Sequence, residues 1–491
     1  MNINKKKKLL LIADRGRPDV SVRLGFLAKK IVKIKNLNPH ILYEHKQKNE
    51  NKQIFSLFDI NCRTFVGVKS DDFLLILKTF FYTSISILKI FFLGFDWFVK
   101  NFEIEKIKLG DLIYDRYIRK SHNFINPNCF QFNFISLLFR SIFKFFYVKK
   151  IIKNNDVKFS LIGSITYISI SSILMRISQF YSIPVIYVSG ESFRIIKNNK
   201  NLGDILGQFI QKKIKFLNQK NLKKKSEKYF NVRTQGKLTT KKYSLQKYYQ
   251  HDEQTWMTNR QDNHFIKKIR KIKHFYSHVI LYAPHNFAES NHSCGDLIFR
   301  DFYQQTFETL KFAKTKKKIL WLFKIHPYSQ KKYNEHKIAQ DIFDKFKSEN
   351  ILMVPSKTSN QKLFELVDLV VSSRGTICLE AATFGVKNLI NSDIFYDYGN
   401  ISIRARNKKK YFSVLSNVNK LKNIDGKSIL RAKKILYFRK KLQRDNPYNL
   451  VTARKLISKK EFFNKLKKSI RKTSFVSNNK NKMYTEIVNK L

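Results

Sequence analysis

The stretch LVDLVVSSRGTICLEAATFGVKNLI, residues 366–390, decides the fold of the second half of the chain. Its first six residues are apolar except for Asp368 and half of them are valine, which is typical of a buried parallel strand. A polar turn and a helix follow, and Gly385 is placed to end that helix before a second apolar run. The turn consists of Ser372, Ser373, Arg374, Gly375 and Thr376. A strand, a polar turn and a helix start in this order predict a phosphate site, because hydroxyls, a guanidinium and backbone amides meet there.

A second polar turn lies upstream. Residues 319–325 (ILWLFKI) have the pattern of another buried strand, which includes Lys324 and stops at His326 and Pro327. Proline keeps the preceding residue extended and cannot continue the strand's hydrogen bonding. In an open α/β sheet, ligands bind beyond the carboxyl ends of the strands. We therefore expect both turns to lie at one edge of a sheet and to form one ligand site.

The chain has 491 residues and a formal net charge of +60. A chain of this length exceeds the size of a single hydrophobic core, so two domains are expected. The excess of Lys and Arg is spread along the sequence, which indicates polyanions or an anionic membrane surface as neighbours. The joint abundance of Lys, Asn, Ile and Phe also fits a bias in genome composition.

The cysteines and the N-terminus indicate the compartment. Four isolated cysteines show neither CxxC spacing nor a disulfide framework, which suits a reducing environment. The short apolar run near the N-terminus meets Asp14, so it predicts a first β-strand rather than a signal peptide. We expect a cytoplasmic protein, with peripheral binding at the inner membrane left open.

Two apolar stretches are candidates for membrane contact. Residues 73–95 are long enough to span a bilayer, but Lys78 and Lys89 interrupt them, which favours a buried or interfacial helix. Residues 132–150 predict a basic, aromatic amphipathic helix. Its apolar stripe either packs on the core or lies on anionic lipid.

The alternation of strands and helices predicts an α/β protein with two Rossmann-like domains. We expect an N-terminal Rossmann-like domain over residues 1–270, with a helical insertion at about 72–153. A second Rossmann-like domain is expected over 271–428, and a basic helical tail over 429–491.

Four stretches together resemble the GT-B glycosyltransferases, and within them bacterial capsule and surface polysaccharide biosynthesis proteins. They are LGDLIYDRY (109–117), VILYAPHNFAES (279–290), WLFKIHPYSQKKY (321–333) and VVSSRGTICLEAATFGVKNLI (370–390), with a weaker match at IFYDYGNISI (394–403). The resemblance implies two Rossmann-like domains facing a central cleft. It also implies a nucleotide-sugar donor held by the C-terminal domain and an acceptor glycan met by the N-terminal domain.

The resemblance also implies roles for residues. His326 would contact the donor phosphate, residues 372–376 would hold phosphate or a sugar carboxylate, and Glu380 would bond the ribose; Lys324 and Pro327 complete the donor set. Independently, Arg374 and the helix amides suit an anion. The structural alternatives are that the turn hydroxyls only cap a helix, that Glu380 complements its dipole, and that His326 is a satisfied polar residue.

Glycosyl transfer also needs a base when it inverts configuration. The candidates are Glu191, Asp14 and His285, followed by Asp111, Asp115 and Glu289. No DxD triplet follows a convincing strand, so we expect neither a metal nor a cofactor besides the nucleotide-sugar co-substrate.

The resemblance thus implies a glycosyltransferase that extends a surface polysaccharide, capsule or lipopolysaccharide, on a lipid-linked or polymeric acceptor at the cytoplasmic face of the membrane. Two alternatives keep the fold: a nucleotide-sugar epimerase and a polyol-phosphate transferase. A third is a non-enzymatic, basic RNA- or membrane-binding protein. Because no RNP, KH or zinc-finger pattern is present, nucleic acid is not the expected partner.

Overall fold

The computed structural model divides the chain into two compact units. The first comprises Met1–Ser121, Asn126–Lys200 and Leu442–Leu491, and the second His122–Ile125 and Asn201–Lys441. The predicted divisions were at residues 270 and 428. The structure describes residues 8–14, 16, 18–44, 49–68, 72–188, 193–196, 207, 210–212, 214–215, 219–234, 260–292, 295–326, 334–355, 358–397, 401–444 and 458–475.

The first unit is built on a six-stranded sheet with the order β3-β2-β1-β6-β7-β8. Neighbouring strands are parallel except for β7 and β8, which are antiparallel. A separate hairpin joins β4 to β5. The strands are β1 (Lys8–Asp14), β2 (Asn38–Tyr43), β3 (Arg63–Phe65), β4 (Glu103–Ile104), β5 (Ile107–Lys108), β6 (Asp156–Ile162), β7 (Val185–Val188) and β8 (Phe193–Ile196).

Among the described residues of the first unit, six helices precede residue 200. They are α1 (Pro18–Lys35), α2 (Asn49–Ser56), α3 (Phe73–Asn101), α4 (Gly110–Ser121), α5 (Phe132–Asn154) and α6 (Ile170–Phe180). In α5 the predicted apolar stripe, which includes Phe134, Leu138 and Ile142, is buried. Of the two alternatives for this helix, the structure therefore shows packing on the protein.

The second unit contains a six-stranded sheet with the order β11-β10-β9-β12-β13-β14, and all neighbouring strands are parallel. The strands are β9 (His278–Tyr282), β10 (Ile319–Phe323), β11 (Ile351–Met353), β12 (Leu369–Val371), β13 (Lys387–Ile390) and β14 (Ile403–Arg404). The strand predicted from residue 366 begins at Leu369, because the Leu366 amide instead closes a turn with the Leu363 carbonyl (2.9 Å).

The helices described in the second unit number eight. They are α7 (Gln219–Thr234), α8 (Arg260–Ile272), α9 (Phe302–Thr315), α10 (Glu335–Phe346), α11 (Asn360–Phe364), α12 (Thr376–Thr383), α13 (Lys408–Ser416) and α14 (Gly426–Arg444). Gly385 follows α12 with φ of +80°, a left-handed conformation that favours glycine, so the predicted glycine stop is confirmed.

The last described helix, α15 (Lys459–Phe475), belongs to the first unit. Its Phe462 and Leu466 are buried in the core cluster formed around β1 and α1. The chain thus returns to its first unit after completing the second. The stretch predicted as a basic tail therefore includes a helix with a buried apolar face.

Both sheets have the strand order of a doubly wound α/β fold. Numbered by appearance within each six-stranded sheet, the order is 3-2-1-4-5-6, in which the direction of winding reverses between the first and fourth strands. This switch lies between β1 and β6 in the first unit and between β9 and β12 in the second. The predicted α/β class is confirmed, and the switch between β9 and β12 is where a ligand crevice is expected.

Candidate functional site

The carboxyl ends of the second sheet carry a row of polar turns. His285 follows β9, His326 follows β10, residues 372–376 follow β12, and Asn391 follows β13. Because these strands are parallel, all four turns lie at the same edge. β10 and β12 both pair with β9, so the two turns predicted to meet are separated by one strand. The expectation of a common edge is confirmed.

Two histidines are stacked at this edge. The rings of His285 and His326 are 5.8 Å apart at 25°, and His285 also contacts the ring of Phe302 at 4.9 Å. Burial lowers the pKa of His285, and Arg374 lowers it further, while Glu289 opposes both with a carboxylate oxygen 3.4 Å from Nδ1. A lowered pKa favours the neutral imidazole at neutral pH. His285 can thus act there as a hydrogen-bonding group or a base.

In the turn after β12, the two serine side chains face the protein. Ser372 Oγ accepts a hydrogen bond from the Gly375 amide (3.3 Å), and Ser373 Oγ donates to Gln305 Oε1 on α9. Both serines are buried. The two hydroxyls thus organise the turn, although neither caps α12, whose N-cap Gly375 has no side-chain hydrogen bond to the helix. They leave Gly375 and the half-buried Thr376 at the start of α12 as its more accessible part.

Gly375 fixes the shape of this turn. An added Cβ would lie 2.6 Å from Ser372 Oγ, so a larger residue would disturb the hydrogen bond between the two. The buried hydroxyl of Tyr396 donates to the Gly375 carbonyl (2.8 Å) from the segment after β13. Burial raises the pKa of Tyr396 well above its usual value, so this donor stays protonated.

Arg374 is engaged by the protein on all three guanidinium nitrogens. Nε donates to Ser392 Oγ (2.7 Å), Nη1 to the Ser290 carbonyl (3.0 Å) and Nη2 to the Gly295 carbonyl (3.1 Å). The side chain is 7% exposed. These bonds join the turn after β12 to the loops that follow β9 and β13. Arg374 therefore positions these loops. The bonds use three of the five N–H donors of the guanidinium, so direct contact with phosphate stays a prediction.

Lys324 and Glu380 belong to one buried network. Lys324 Nζ donates to the Thr358 carbonyl and to Asn360 Oδ1, both at 2.6 Å. Asn360 Nδ2 in turn donates to Glu380 Oε2 (3.3 Å) on α12. The network ties β10 and the start of α11 to α12. The ribose role of Glu380 stays a prediction, and its carboxylate is held in a fixed place.

Three polar side chains near this edge have no hydrogen bond to the described part of the chain. They are the hydroxyls of Thr358 and Ser359, which lie between β11 and α11, and both amide atoms of Asn391 after β13. Each of these residues is at most 1% exposed. Leaving buried polar atoms unbonded is costly, so such atoms commonly mark a place for water or a ligand.

The sequence interpretation missed several residues that shape the site. The buried carboxylate of Glu335 accepts bonds from the Phe287 and Ala288 amides (2.8 and 3.2 Å) and so holds the loop after β9. No local pattern marks Glu335, since its partners are 47 and 48 residues away. Asn391 could have been found, because it is the polar residue that follows the apolar run of β13.

The candidate bases in the first unit are mostly engaged. Asp14 is buried at the end of β1 and accepts bonds from the Gly16 amide (3.1 Å), Ser21 Oγ (2.8 Å) and Asn51 Nδ2 (3.3 Å). Asp111 forms a two-pronged ion pair with Arg176, with both distances at 2.7 Å. Asp115 is fully buried in α4. Glu191, like Pro327 of the donor set, lies outside the described residues.

Over the described ranges, no group of three or more His, Cys, Asp or Glu side chains could hold a metal ion. The pairs that do form, such as His285 with Glu289, are too few in ligands for a structural metal site.

No protein-family model matches this chain, and no curated protein matches it. Among solved structures, it is similar to the Thermosulfurimonas dismutans KpsC, beta Kdo 2,4 transferase, at 10% identity over 57% of this chain and 79% of that chain (TM-score 0.32). It is also similar to UDP-GlcNAc 2-epimerase from Neisseria meningitidis, at 12% identity over 88% and 100% of the two chains (TM-score 0.25). An alpha,alpha-trehalose-phosphate synthase from Burkholderia vietnamiensis matches at 8% identity over 94% and 100% (TM-score 0.28). These likenesses are too low to carry an argument, and the fold rests on the strand order in each sheet.

Proposed function

We propose that this protein is a glycosyltransferase of the GT-B kind, which binds a nucleotide-sugar donor at the carboxyl edge of its second sheet. The observation that carries the proposal is that His285 and the start of α12 follow β9 and β12, the two strands on either side of the switch, with His326 stacked on His285 from the neighbouring β10. This is the position at which doubly wound sheets bind nucleotides. The four sequence stretches that resemble capsule and surface polysaccharide enzymes add the reaction class and the acceptor.

The leaving nucleotide needs its developing charge stabilised. The first-turn amides of α12, at Thr376 and its neighbours, offer donors with the helix dipole behind them. His326, half-buried at the end of β10, supplies a further donor. We assign the phosphate contacts to these groups, whereas Arg374 holds the surrounding loops in place.

The polar atoms without partners are assigned to the donor. The hydroxyl of Ser359 and the amide of Asn391 would bond the nucleotide or its sugar, since they contribute no hydrogen bond to the described fold. A catalytic base is assigned to His285, whose lowered pKa keeps it neutral and able to accept a proton.

The donor site can be tested by thermal stabilisation with CMP-, UDP-, GDP- and CDP-linked sugars. A ligand at about one hundred times its Kd adds about 2.7 kcal/mol to the stability. We expect one nucleotide class to stabilise the protein, and Ser359→Ala and Asn391→Ala to weaken its binding about five- to tenfold each, as for one lost hydrogen bond.

Asn388→Ala is the matched control. Asn388 is equally buried on β13, but its amide donates to the Ile401 carbonyl (2.9 Å), away from the carboxyl edge. It should lower stability and leave nucleotide affinity unchanged. Stabilisation by none of the nucleotides would refute the donor site. If the protein released a modified sugar without any acceptor, the assigned reaction would be epimerisation and not glycosyl transfer.

A further inference from the structure

In helix α3 the hydroxyl side chains face the protein and the large apolar side chains face outward, which is the reverse of a helix in a soluble protein. Its residues that face the protein include Thr79, Thr83 and Ser86, which are at most 5% exposed. Its large apolar residues face outward, as Leu74, Phe81 and Phe92 show with exposures of 80%, 63% and 77%. A soluble helix normally buries its apolar stripe and exposes its polar face.

The inward hydroxyls are satisfied within the helix itself. Thr79, Thr83 and Ser86 each donate to the carbonyl four residues earlier, at 2.7, 2.8 and 2.5 Å. Their small side chains face the protein side, where α3 packs along α5. Helices that contact lipid adopt this arrangement, with small and hydroxyl residues facing the protein and large apolar residues facing outward.

A kink limits the outward apolar face. Gly94 has φ of +77°, and beyond it Phe95 and Phe98 are buried in the protein. Residues 73–93 before the kink would extend about 31 Å at 1.5 Å per residue. The face continues onto the start of α5, because the ring of Phe91 contacts that of Phe130 edge to face (5.4 Å) and Phe132 is 81% exposed. We call residues 73–93 with Phe130 and Phe132 the α3 face.

We propose that the α3 face lies in the plane of an anionic lipid bilayer, with its apolar side chains in the acyl region and the helix parallel to the surface. The proposal does not depend on the donor site. By length and composition α3 could cross a membrane, with a mean hydropathy of 1.6 over its most apolar window. Because its inner side packs on α5, lipid can surround only its outer side, so it lies on the bilayer instead of spanning it.

Charge identifies lipid as the occupant. Lys89 is exposed and lies, by helical spacing, on one flank of the apolar arc, where a lysine can extend toward headgroups. Lys78, on the same flank, instead pairs with Glu105 (3.4 Å) and lies over the ring of Phe146 (4.1 Å). Residues 73–154 contain thirteen Lys and Arg against five Asp and Glu. An anionic surface attracts such a region, whereas a second copy of a chain with a net charge of +60 is repelled.

The test uses the full-length protein and vesicles of phosphatidylcholine with about 30% phosphatidylglycerol, measured by co-sedimentation. We expect binding that salt weakens without abolishing. The combined variant Leu77→Glu, Phe81→Glu and Leu88→Glu should lower vesicle binding at least about tenfold. Its melting temperature should be retained, since all three side chains are at least half exposed.

Phe275→Glu is the matched control, because Phe275 is 75% exposed in the second unit. It should bind vesicles like the wild type. A second variant, Phe81→Trp, reads insertion directly: brominated lipid should quench its added fluorescence beyond that of the wild-type protein. This variant keeps the test decisive even if the triple variant does not fold.

Three results would overturn the proposal. The first is a wild-type protein that does not sediment with anionic vesicles. The second is a triple variant that binds vesicles as tightly as the wild type, which would mean that basic residues elsewhere cause the binding. The third is a stable dimer without lipid that the triple variant converts to a monomer, since the α3 face would then be covered by a second copy.

Discussion

Replacing Arg374 by alanine removes the three hydrogen bonds that hold two loops to the turn after β12. The guanidinium donates to Ser392 Oγ, the Ser290 carbonyl and the Gly295 carbonyl at 2.7–3.1 Å. Hydrogen bonds from a charged donor contribute about 1.5–3 kcal/mol each. Two of these acceptors are only partly buried, so water can replace the lost donor there.

We therefore expect the free energy of unfolding of the second unit to fall by about 1 kcal/mol for each lost bond, or by about 3 kcal/mol in total. For a unit of roughly this size, 1 kcal/mol lowers Tm by about 2–4 °C, so the expected decrease is about 6–12 °C. Arg374→Lys keeps the charge but cannot reach three acceptors arranged for a planar guanidinium. Its Tm should lie between those of the alanine variant and the wild type.

Differential scanning calorimetry of the full chain provides the measurement, and Arg406→Ala provides the control. Arg406 is exposed in the same unit, so its loss should change stability by no more than about 0.5 kcal/mol. Nucleotide affinity is measured on the same samples, below the melting range of each variant.

If Arg374 and His326 only contacted the donor, as the resemblance implies, Arg374→Ala and His326→Ala would both lose donor binding and keep the fold. The structure separates the two variants. An Arg374→Ala protein that melts within about 1 °C of the wild type but no longer binds nucleotide would refute the positioning role. In that case the guanidinium would be a phosphate ligand after all.

Three further predictions concern single residues. Gly110→Ala should destabilise the first unit by about 1–3 kcal/mol in chemical denaturation, because the new Cβ would overlap the Phe98 carbonyl, while Gly426→Ala meets no atom within 4 Å and should be tolerated. Asn350→Ala should cost about 2 kcal/mol, since its amide donates to the carbonyls of residues 313, 316 and 319 at 3.0–3.1 Å; an unchanged denaturation midpoint would contradict this. His285 has a folded pKa below its ordinary 6.5, so the unfolded chain binds more protons and stability falls as pH drops below about 6.5. His285→Gln should flatten that decrease in Tm between about pH 7 and 5, and an equally steep decrease in the variant would count against it.

The strands and the turns that follow them could be predicted from the sequence. A buried parallel strand needs an unbroken apolar run, and the chain leaves the sheet where that run ends, as at Lys324 to His326. Parallel strands end at one edge, so placing two polar turns together needed no knowledge of side-chain contacts. Strand starts were less certain, since Leu366 and Leu369 are both apolar and only a local turn separates their roles.

The partners of the site residues could not be predicted. Ser373 bonds to Gln305, 68 residues away, and Arg374 reaches Ser290 and Gly295, 84 and 79 residues away. Nothing local distinguishes an arginine that binds a loop from one that binds a phosphate. The direction of the α3 face was equally hidden, because helical spacing gives the same apolar stripe whether it faces the core or the outside.

The order of apolar runs, polar turns and glycines by itself determined two doubly wound sheets and the edge at which a ligand could bind. These features follow from the backbone hydrogen bonding and hydrophobic periodicity of short segments, which neighbouring residues control. Only the tertiary structure decided which polar side chains at that edge are committed to the fold, as those of Arg374 and Lys324 are. It also decided which have no hydrogen bond to the described residues, as is the case for the side chains of Ser359 and Asn391. That decision depends on contacts between residues distant in sequence, which form only when the chain has packed.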